Sequence, residues 1–221
     1  MQGRDLQKFV NQYLLPALPG FAYARRVIYQ VPVGDLLRGL LLDSSGFSKA
    51  VLHPDVFVQP LYVPSSHLVL SFGRRLTGSW RHEAGNAQAL AKRLLRQMRE
   101  AVLPFASSFS SPQSFAANAP AWPWFSRDNP HIQQAMGYSL VLAGDFASAQ
   151  KWLRAVDETL RQCNNAETWE GRLRDDCRKF LDLLVRDPGG AQELLNGWTE
   201  DTRRNLRLPQ PTVRGASLGA G

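Results

Sequence analysis

Two histidines and an aspartate are the residues of this chain best suited to acid–base or metal chemistry. His53 and Asp55 are separated only by Pro54, and His67 falls on the next predicted strand. An imidazole oriented by a carboxylate is the minimum for a general base, and two imidazoles with one carboxylate suit a divalent metal ion. One hypothesis is therefore a nuclease or metal-dependent hydrolase that uses His53, Asp55 and His67.

No other catalytic motif accompanies these residues. The sequence has no phosphate-binding glycine loop, no nucleophile elbow, no His-Glu-x-x-His pattern and no CxxC pair. The orienting third partner of a catalytic triad is also missing. We therefore favour a protein that is not an enzyme, with no catalytic residue, no cofactor and no metal site.

The two cysteines, Cys163 and Cys177, are too few for a disulfide scaffold and lack metal-ligand spacing with any histidine. We expect both to be free thiols. Cys177 also aligns with the apolar face of a predicted helix, and this core position argues against a nucleophile.

The chain is basic, with 26 Lys and Arg against 19 Asp and Glu, a net charge of +7 and a pI near 9.8. Such a charge suits either nucleic acid or an acidic protein partner. The arginines are spread along the chain without forming one block. A nucleic-acid-binding module would work through the arginines of two predicted neighbouring elements, which are Arg74, Arg75, Arg93, Arg96 and Arg99.

Length and hydropathy set the class of protein. The 221 residues, 44% of them hydrophobic, suit one large or two small folded domains. No run of 18 apolar residues exists, and the N-terminal stretch is charged where a secretory signal needs an apolar core. We expect a cytoplasmic protein with no membrane association.

The stretch from 51 to 76 predicts the centre of a sheet. Val56 and Val58 fall on one face of an extended segment, and Phe57 and Leu61 fall on the other. Because both faces are apolar, we expect further elements to cover both sides of the sheet.

Three other segments are predicted to be strands. Residues 25–33 and, after a break at 64–66, residues 67–72 alternate at the period of a strand. Residues 36–43 form the third of these segments, which closes at the turn signal 43–46. Short links between consecutive strands favour an antiparallel meander.

Helical periodicity flanks the predicted sheet and fills the rest of the chain. Stripes at 5–15 and 86–103 flank the sheet, with Pro104 ending the second stripe. Further helices are expected at 131–142, 146–160, about 166–184 and from 188 onward, with Trp169 in the apolar stripe of the third. The fold class is therefore α+β, an antiparallel sheet flanked by helices and followed by an all-helical C-terminal half. The expected units are a sheet domain (1–104), an ordered connector (105–130), a helical domain (131–208) and a disordered tail (209–221).

The connector carries three large aromatic residues, Trp122, Trp124 and Phe125. Each can bury on the order of 150 to 250 Å², so each must find a surface to cover. They either pin the C-terminal helices onto the sheet domain or form an exposed partner-binding patch.

The segment 131–160 resembles a single tetratricopeptide repeat. Small residues let two helices cross closely, and an aromatic residue after Gly-Asp packs at the crossing. The matching residues are Gly137, Gly144, Asp145, Phe146, Ala149 and Leu153. The large aromatic expected early in the first helix is Gln133 here, and one repeat does not make a solenoid. The resemblance implies a packing unit, with a peptide-facing groove as an open alternative.

The wider order of elements over residues 5–160 is similar to a bacterial family of unknown function that resembles immunity proteins encoded beside polymorphic toxins. The similarity lies in an opening amphipathic helix, Leu18-Pro19-Gly20-Phe21, a meander with Val56-Phe57-Val58-Gln59, and a helix ending Ala101-Val102-Leu103-Pro104-Phe105. It implies a protein that binds and blocks one cognate toxin.

Partner binding is thus the function we expect, with an acidic protein as the partner. A basic face around Arg74, Arg75, Arg93 and Arg96 would speed association by electrostatic steering. The aromatic residues Trp122, Trp124 and Phe125 would supply a desolvated anchor.

Overall fold

The computed structural model describes residues 3–44, 50–78, 80–83, 85–162 and 167–209. These residues form an α+β protein, as the sequence predicts, with an antiparallel sheet in the N-terminal half and helices through the C-terminal half. The predicted tail from residue 210 onward lies outside the described residues, and so does Cys163.

The five strands of the described sheet lie side by side in chain order, each antiparallel to the next. The predicted meander is therefore confirmed. The longest ladder pairs the third strand with the fourth over nine residues each. The strands are β1 (Phe21–Ala24), β2 (Val27–Gln30), β3 (Leu36–Ser44), β4 (Leu52–Pro60) and β5 (Gly73–Arg75).

Two strand predictions are wrong. The segment 25–33 is not one strand, because Arg25 and Arg26 form the turn between β1 and β2 with φ values of 49° and 73°. Two consecutive positive φ angles are typical of the type I′ turn that matches strand twist. The predicted strand at 67–72 is a loop, and the side chain of Gln59 bonds two of its backbone groups. The Gln59 amide nitrogen donates to the carbonyl of His67 at 3.3 Å, and the Gln59 carbonyl accepts from the backbone N–H of Val69 at 3.0 Å.

The predicted helices occur in the predicted order. Two further helices, Leu103–Ser108 and Pro112–Asn118, lie largely where the sequence predicts a connector and no helix. The prediction that Pro104 ends a helix is wrong. Pro104 occupies the first turn of the next helical segment, where the backbone N–H that proline lacks would have no partner within the helix. Two π-helical stretches, Val10–Leu14 and Met98–Val102, continue the helices that precede them. The helices are α1 (Gly3–Phe9), α2 (Ala87–Gln97), α3 (Leu103–Ser108), α4 (Pro112–Asn118), α5 (Pro130–Leu142), α6 (Phe146–Thr159), α7 (Trp169–Arg186) and α8 (Pro188–Asn205).

Both faces of the sheet are covered, as predicted. Val56 and Val58 belong to a large buried cluster that also includes residues of α1, α2 and the C-terminal helices. Phe57 and Leu61 belong to a smaller cluster on the other face, against which Leu68, Leu206 and Leu208 pack. The large cluster extends through the connector, and the domain boundaries at 104 and 130 stay a prediction.

The pair α5–α6 has the close crossing that the repeat-like residues predict. A Cβ atom added at Gly137 would lie 2.8 Å from the Leu153 side chain on the facing helix. Gly144 has a φ of +81°, and the Asp145 carboxylate accepts from the N–H of Ser148 at 3.0 Å to begin α6. Small residues and a glycine turn therefore set this antiparallel pair.

None of the described helices is both long and apolar enough to cross a membrane.

Candidate binding surfaces

A shallow groove of about 1170 Å³ lies between the first helical segment and α2. Tyr13 and Leu95, both partly buried, contribute apolar surface to it. Its charged residues are four cations and one carboxylate, namely Lys92, Arg93, Arg96, Arg99 and Glu100. We call these seven residues the basic groove.

The sequence of α2 explains why the cations lie together. Leu90, Leu94 and Met98 recur at helical spacing and are buried, which turns the intervening positions outward. Arg96 pairs with Glu100 across one turn, with 3.9 Å between Nε and Oε2, and both side chains are more than half exposed. Such a pair contributes only about 0.3–0.5 kcal/mol, so both groups stay available to a partner.

Arg93 differs from its neighbours in the basic groove. Its guanidinium carbon lies 4.7 Å from the ring centroid of buried Trp80. Cation–π contact of this kind gives Arg93 a packing role beside its charge. A change at Arg93 would therefore disturb the fold as well as the surface.

Arg74 and Arg75 lie elsewhere, on the exposed strand β5, and neither lines the basic groove. Arg75 binds Asp55 of β4 with two hydrogen bonds, of 3.1 Å from Nε and 3.4 Å from the terminal nitrogen. These bonds raise the pKa of the Arg75 guanidinium. The arginines that sequence reasoning grouped are thus divided between two elements.

The connector aromatics pack against the protein itself. Trp122 lies 4.7 Å from Phe105, Trp124 lies 5.4 Å from Phe72, and Phe125 lies 6.1 Å from Trp152 of α6, each between ring centroids. All three are half-buried. These contacts join the segment before β5 to the helices, which favours the pinning interpretation. A role for the three residues as a partner-binding anchor stays a prediction.

The candidate acid–base residues are divided as well. His53 and Asp55 share one face of β4, but Asp55 is engaged by Arg75. His67 lies in the loop after β4, where its Nδ1 is 3.4 Å from Ser66 Oγ. Within the described ranges, no three residues among His, Cys, Asp and Glu lie close enough to hold a metal ion.

Cys177 is a free thiol within the core. Burial raises its pKa to about 12, so the thiol stays protonated near neutral pH. The predicted core position is confirmed for this cysteine.

A second site, which sequence reasoning missed, is a cleft of about 820 Å³ between the loop after β4 and helices α5, α7 and α8. Its aromatic residues come from distant parts of the chain. They are Phe72, Tyr138, Trp169, Phe180 and Trp198, and we call this site the aromatic cleft.

Trp169 was predicted to lie in the core stripe of α7, and this prediction is wrong. The helix begins at Trp169, immediately after the capping residue Thr168, and the buried stripe begins at Leu173 one turn later. The Trp169 side chain is therefore 48% exposed. The sequence does contain one signal for this exposure, because Trp169 directly follows Thr168, a residue type that often caps the start of a helix.

The ring of His131 stacks on Trp169 with 5.0 Å between centroids and 18° between planes. Desolvation lowers the pKa of His131, which keeps its imidazole neutral near pH 7. Three charged side chains one turn apart on α7 also line the cleft, namely Arg172, Asp176 and Lys179.

Comparison of this chain with known families, with curated proteins and with solved structures found no match.

Proposed function

We propose that this is a non-enzymatic binding protein whose basic groove takes an acidic segment of another protein. The observation that supports the proposal is the composition of the groove, which four cations and one carboxylate line together with the partly buried side chains of Tyr13 and Leu95. Opposite charges would steer the partner into place, and these two side chains would supply contact area.

The same groove suits nucleic acid less well. Glu100 lies among the cations, where its carboxylate would repel a phosphate backbone. The distribution of cations also limits the footprint, because Arg74 and Arg75 lie outside the groove. Nucleic-acid binding therefore remains the alternative that an experiment must separate.

The more specific form of the proposal is toxin inhibition. It rests on the resemblance of the sequence to the immunity-like family, and it places the protein in the bacterial cytoplasm beside a toxin encoded by a neighbouring gene. An acidic toxin would match the basic groove.

The direct test uses a peptide rich in Asp and Glu with leucine at helical spacing, titrated into the whole protein by calorimetry. The variant Arg96→Glu/Arg99→Glu should bind it at least about tenfold more weakly, because two attractive contacts become repulsive. The matched control is Arg154→Glu/Arg161→Glu, two exposed arginines on or just after α6 that give the same change in net charge.

Equal losses in the two variants would show that only net charge matters, and the groove would be excluded as the site. Mixed DNA and RNA are the comparison ligands. If they bind with an affinity that falls by about 10³ or more between 50 and 200 mM salt, the nucleic-acid alternative is favoured instead. For the toxin form, co-expression with the neighbouring gene product should restore growth only when Arg96 and Arg99 are intact.

A further inference from the structure

The aromatic cleft contains two of the four large hydrophobic side chains that are exposed among the described residues. Among the described residues, the large exposed hydrophobic side chains are Leu70, Trp169, Val185 and Leu194. Trp169 of α7 and Leu194 of α8 both line the cleft, together with the buried rings of Tyr138 and Phe180 and the partly buried ring of Trp198, which we call the floor of the cleft. An exposed tryptophan over such a floor is typical of a ligand site.

The floor of the cleft is rigid. Tyr138, Phe180 and Trp198 contact one another with centroid distances of 4.6, 5.6 and 5.7 Å. Tyr138 also accepts a hydrogen bond of 3.3 Å from the amide of Gln134. Tyr138 and Phe180 are buried, whereas Trp198 is partly exposed, so a ligand ring would meet Trp198 while the other two rings hold it in place. Such a surface needs little reordering, which favours affinity.

The walls are fixed as well. The stack on His131 restrains Trp169, and the Gln59 side chain holds the loop after β4 by two hydrogen bonds. That loop is tied to the end of α8, because the N–H of Ser65 donates to Thr202 Oγ1 at 3.3 Å and Asn205 donates to the Ser65 carbonyl at 3.2 Å. The cleft therefore exists before a ligand arrives.

Charge at the rim selects the ligand. Arg172 and Lys179 carry two positive charges, and Asp176 between them carries one negative charge. Arg172 donates one hydrogen bond of 2.8 Å to the backbone carbonyl of Glu167, and Lys179 forms no ion pair with any described residue. The two histidines that line the cleft, His67 and His131, add no negative charge to this balance. The rim is thus suited to one negative charge.

Size selects it further. A volume of about 820 Å³ falls within the range of small-molecule sites, about 300–1,000 Å³, and is too small for a folded domain. We propose that the aromatic cleft binds a small planar aromatic carboxylate, with its ring against Trp169 and the floor and its carboxylate toward Arg172 and Lys179. This site is separate from the basic groove.

The test is titration of the whole protein with 2-naphthoate, followed by tryptophan fluorescence and calorimetry. Two analogues of the same ring, 2-naphthylmethanol and 2-naphthylmethylamine, separate the contributions of stacking and charge. We expect the carboxylate to bind about tenfold more tightly than the amine, because the rim attracts one and repels the other.

Variants locate the site. Trp169→Ala should weaken 2-naphthoate about tenfold, as expected for loss of a stacking face. Lys179→Gln should weaken 2-naphthoate about threefold and leave the alcohol unchanged, as expected for an exposed charge. The controls are Val185→Ala, an exposed apolar residue of α7 outside the cleft, and Lys151→Gln, an exposed lysine of α6.

The proposal is overturned if 2-naphthoate shows no saturable binding, if the amine binds as tightly as the carboxylate, or if the control variants lose as much affinity as Trp169→Ala and Lys179→Gln. Lys179 is fully on the surface, so this arm remains informative even if Trp169→Ala fails to fold.

Discussion

The hydroxyl of Tyr62 lies 2.6 Å from Oγ of Ser139, and both side chains are fully buried. Ser139 Oγ also donates to the carbonyl of Ala135 at 2.6 Å, so the Tyr62 hydroxyl is the donor to Ser139. Tyr62 follows β4 and Ser139 belongs to α5. This hydrogen bond therefore joins the sheet to the helical half of the molecule inside the core.

The Tyr62–Ser139 bond predicts energetic coupling between the two residues. Tyr62→Phe and Ser139→Ala should each lower the free energy of unfolding by about 1–2 kcal/mol. Ser139→Ala leaves the buried Tyr62 hydroxyl without its acceptor, and Tyr62→Phe removes the buried hydrogen bond to Ser139. The double variant should lose about 1 kcal/mol less than the sum. Urea unfolding measures all three, with Tyr13→Phe as a partly exposed control. Strict additivity would contradict the coupling.

Arg203 makes a second buried connection, from α8 to the turn before β3. Its two terminal nitrogens donate to the carbonyls of Val33 at 2.8 Å and Gly34 at 3.1 Å. Arg203→Met should cost about 2–4 kcal/mol, since both carbonyls would lose a charged donor. Arg204→Met, at the next position but 71% exposed, should cost under about 0.5 kcal/mol. Similar losses in the two variants, measured by urea unfolding, would rule out this role for Arg203.

The close crossing of α5 and α6 can be tested at Gly137, which lies in α5, with Gly197 of α8 as the matched control. Gly197→Ala should stabilise the protein by about 0.5–1 kcal/mol, because nothing lies within 4 Å of the added methyl group and alanine favours the helix. Gly137→Ala should instead lower stability by about 1–2 kcal/mol, because the methyl group meets buried Leu153. Thermal unfolding compares the two. A stabilised Gly137→Ala variant would show that the crossing has room to adjust.

Asp157 predicts one part of the dependence of stability on pH. Burial raises its pKa, but hydrogen bonds from Arg174 at 2.7 Å and Arg178 at 2.6 Å outweigh burial and lower the pKa below its ordinary value. The folded state thus favours the carboxylate. Its contribution is present above the unfolded pKa and is lost as the pH falls through the folded pKa.

Asp157→Asn should therefore reduce stability near neutral pH and flatten the loss of stability as the pH falls below the ordinary aspartate pKa of 3.8. Urea unfolding at a series of acidic pH values and at neutral pH provides the measurement. Asp182→Asn, an exposed position on α7, is the control and should keep the steeper loss. If the Asp157→Asn variant lost stability with falling pH as steeply as the unaltered protein, the ion pairs between Asp157 and α7 would be excluded as a cause of that loss.

Periodicity in the sequence was enough for the fold class, the meander and the helix pair at 131–160. Periodicity gave the wrong prediction at one turn and at one loop, where residue types and alternation do not indicate the backbone conformation. Arg25 and Arg26 form a turn of a type that normally contains asparagine or glycine. The sequence has neither residue there, so it does not predict the turn. At 67–72 the residues do alternate, but the segment is a loop whose backbone is bonded twice by the side chain of Gln59, and the sequence pattern does not contain these contacts.

The candidate sites also differ in how far the sequence predicts them. The cations of α2 lie on one helix, so helical spacing alone predicted that Arg93 and Arg96 belong together. The aromatic cleft is built from residues as distant as Phe72 and Trp198, and only tertiary packing brings them to one place. The packing of Arg93 on Trp80 likewise depends on a contact that sequence spacing does not contain.

The contrast between the local pairing of the strands and the distant docking of α8 has a consequence for the kinetics of folding. Hairpins between sequence neighbours close short loops, whereas the bond from Arg203 to Val33 joins residues 170 positions apart. Loop-closure entropy makes such distant contacts late events, so α8 should dock after the transition state. Stopped-flow kinetics should then show that Arg203→Met speeds unfolding and leaves the folding rate nearly unchanged.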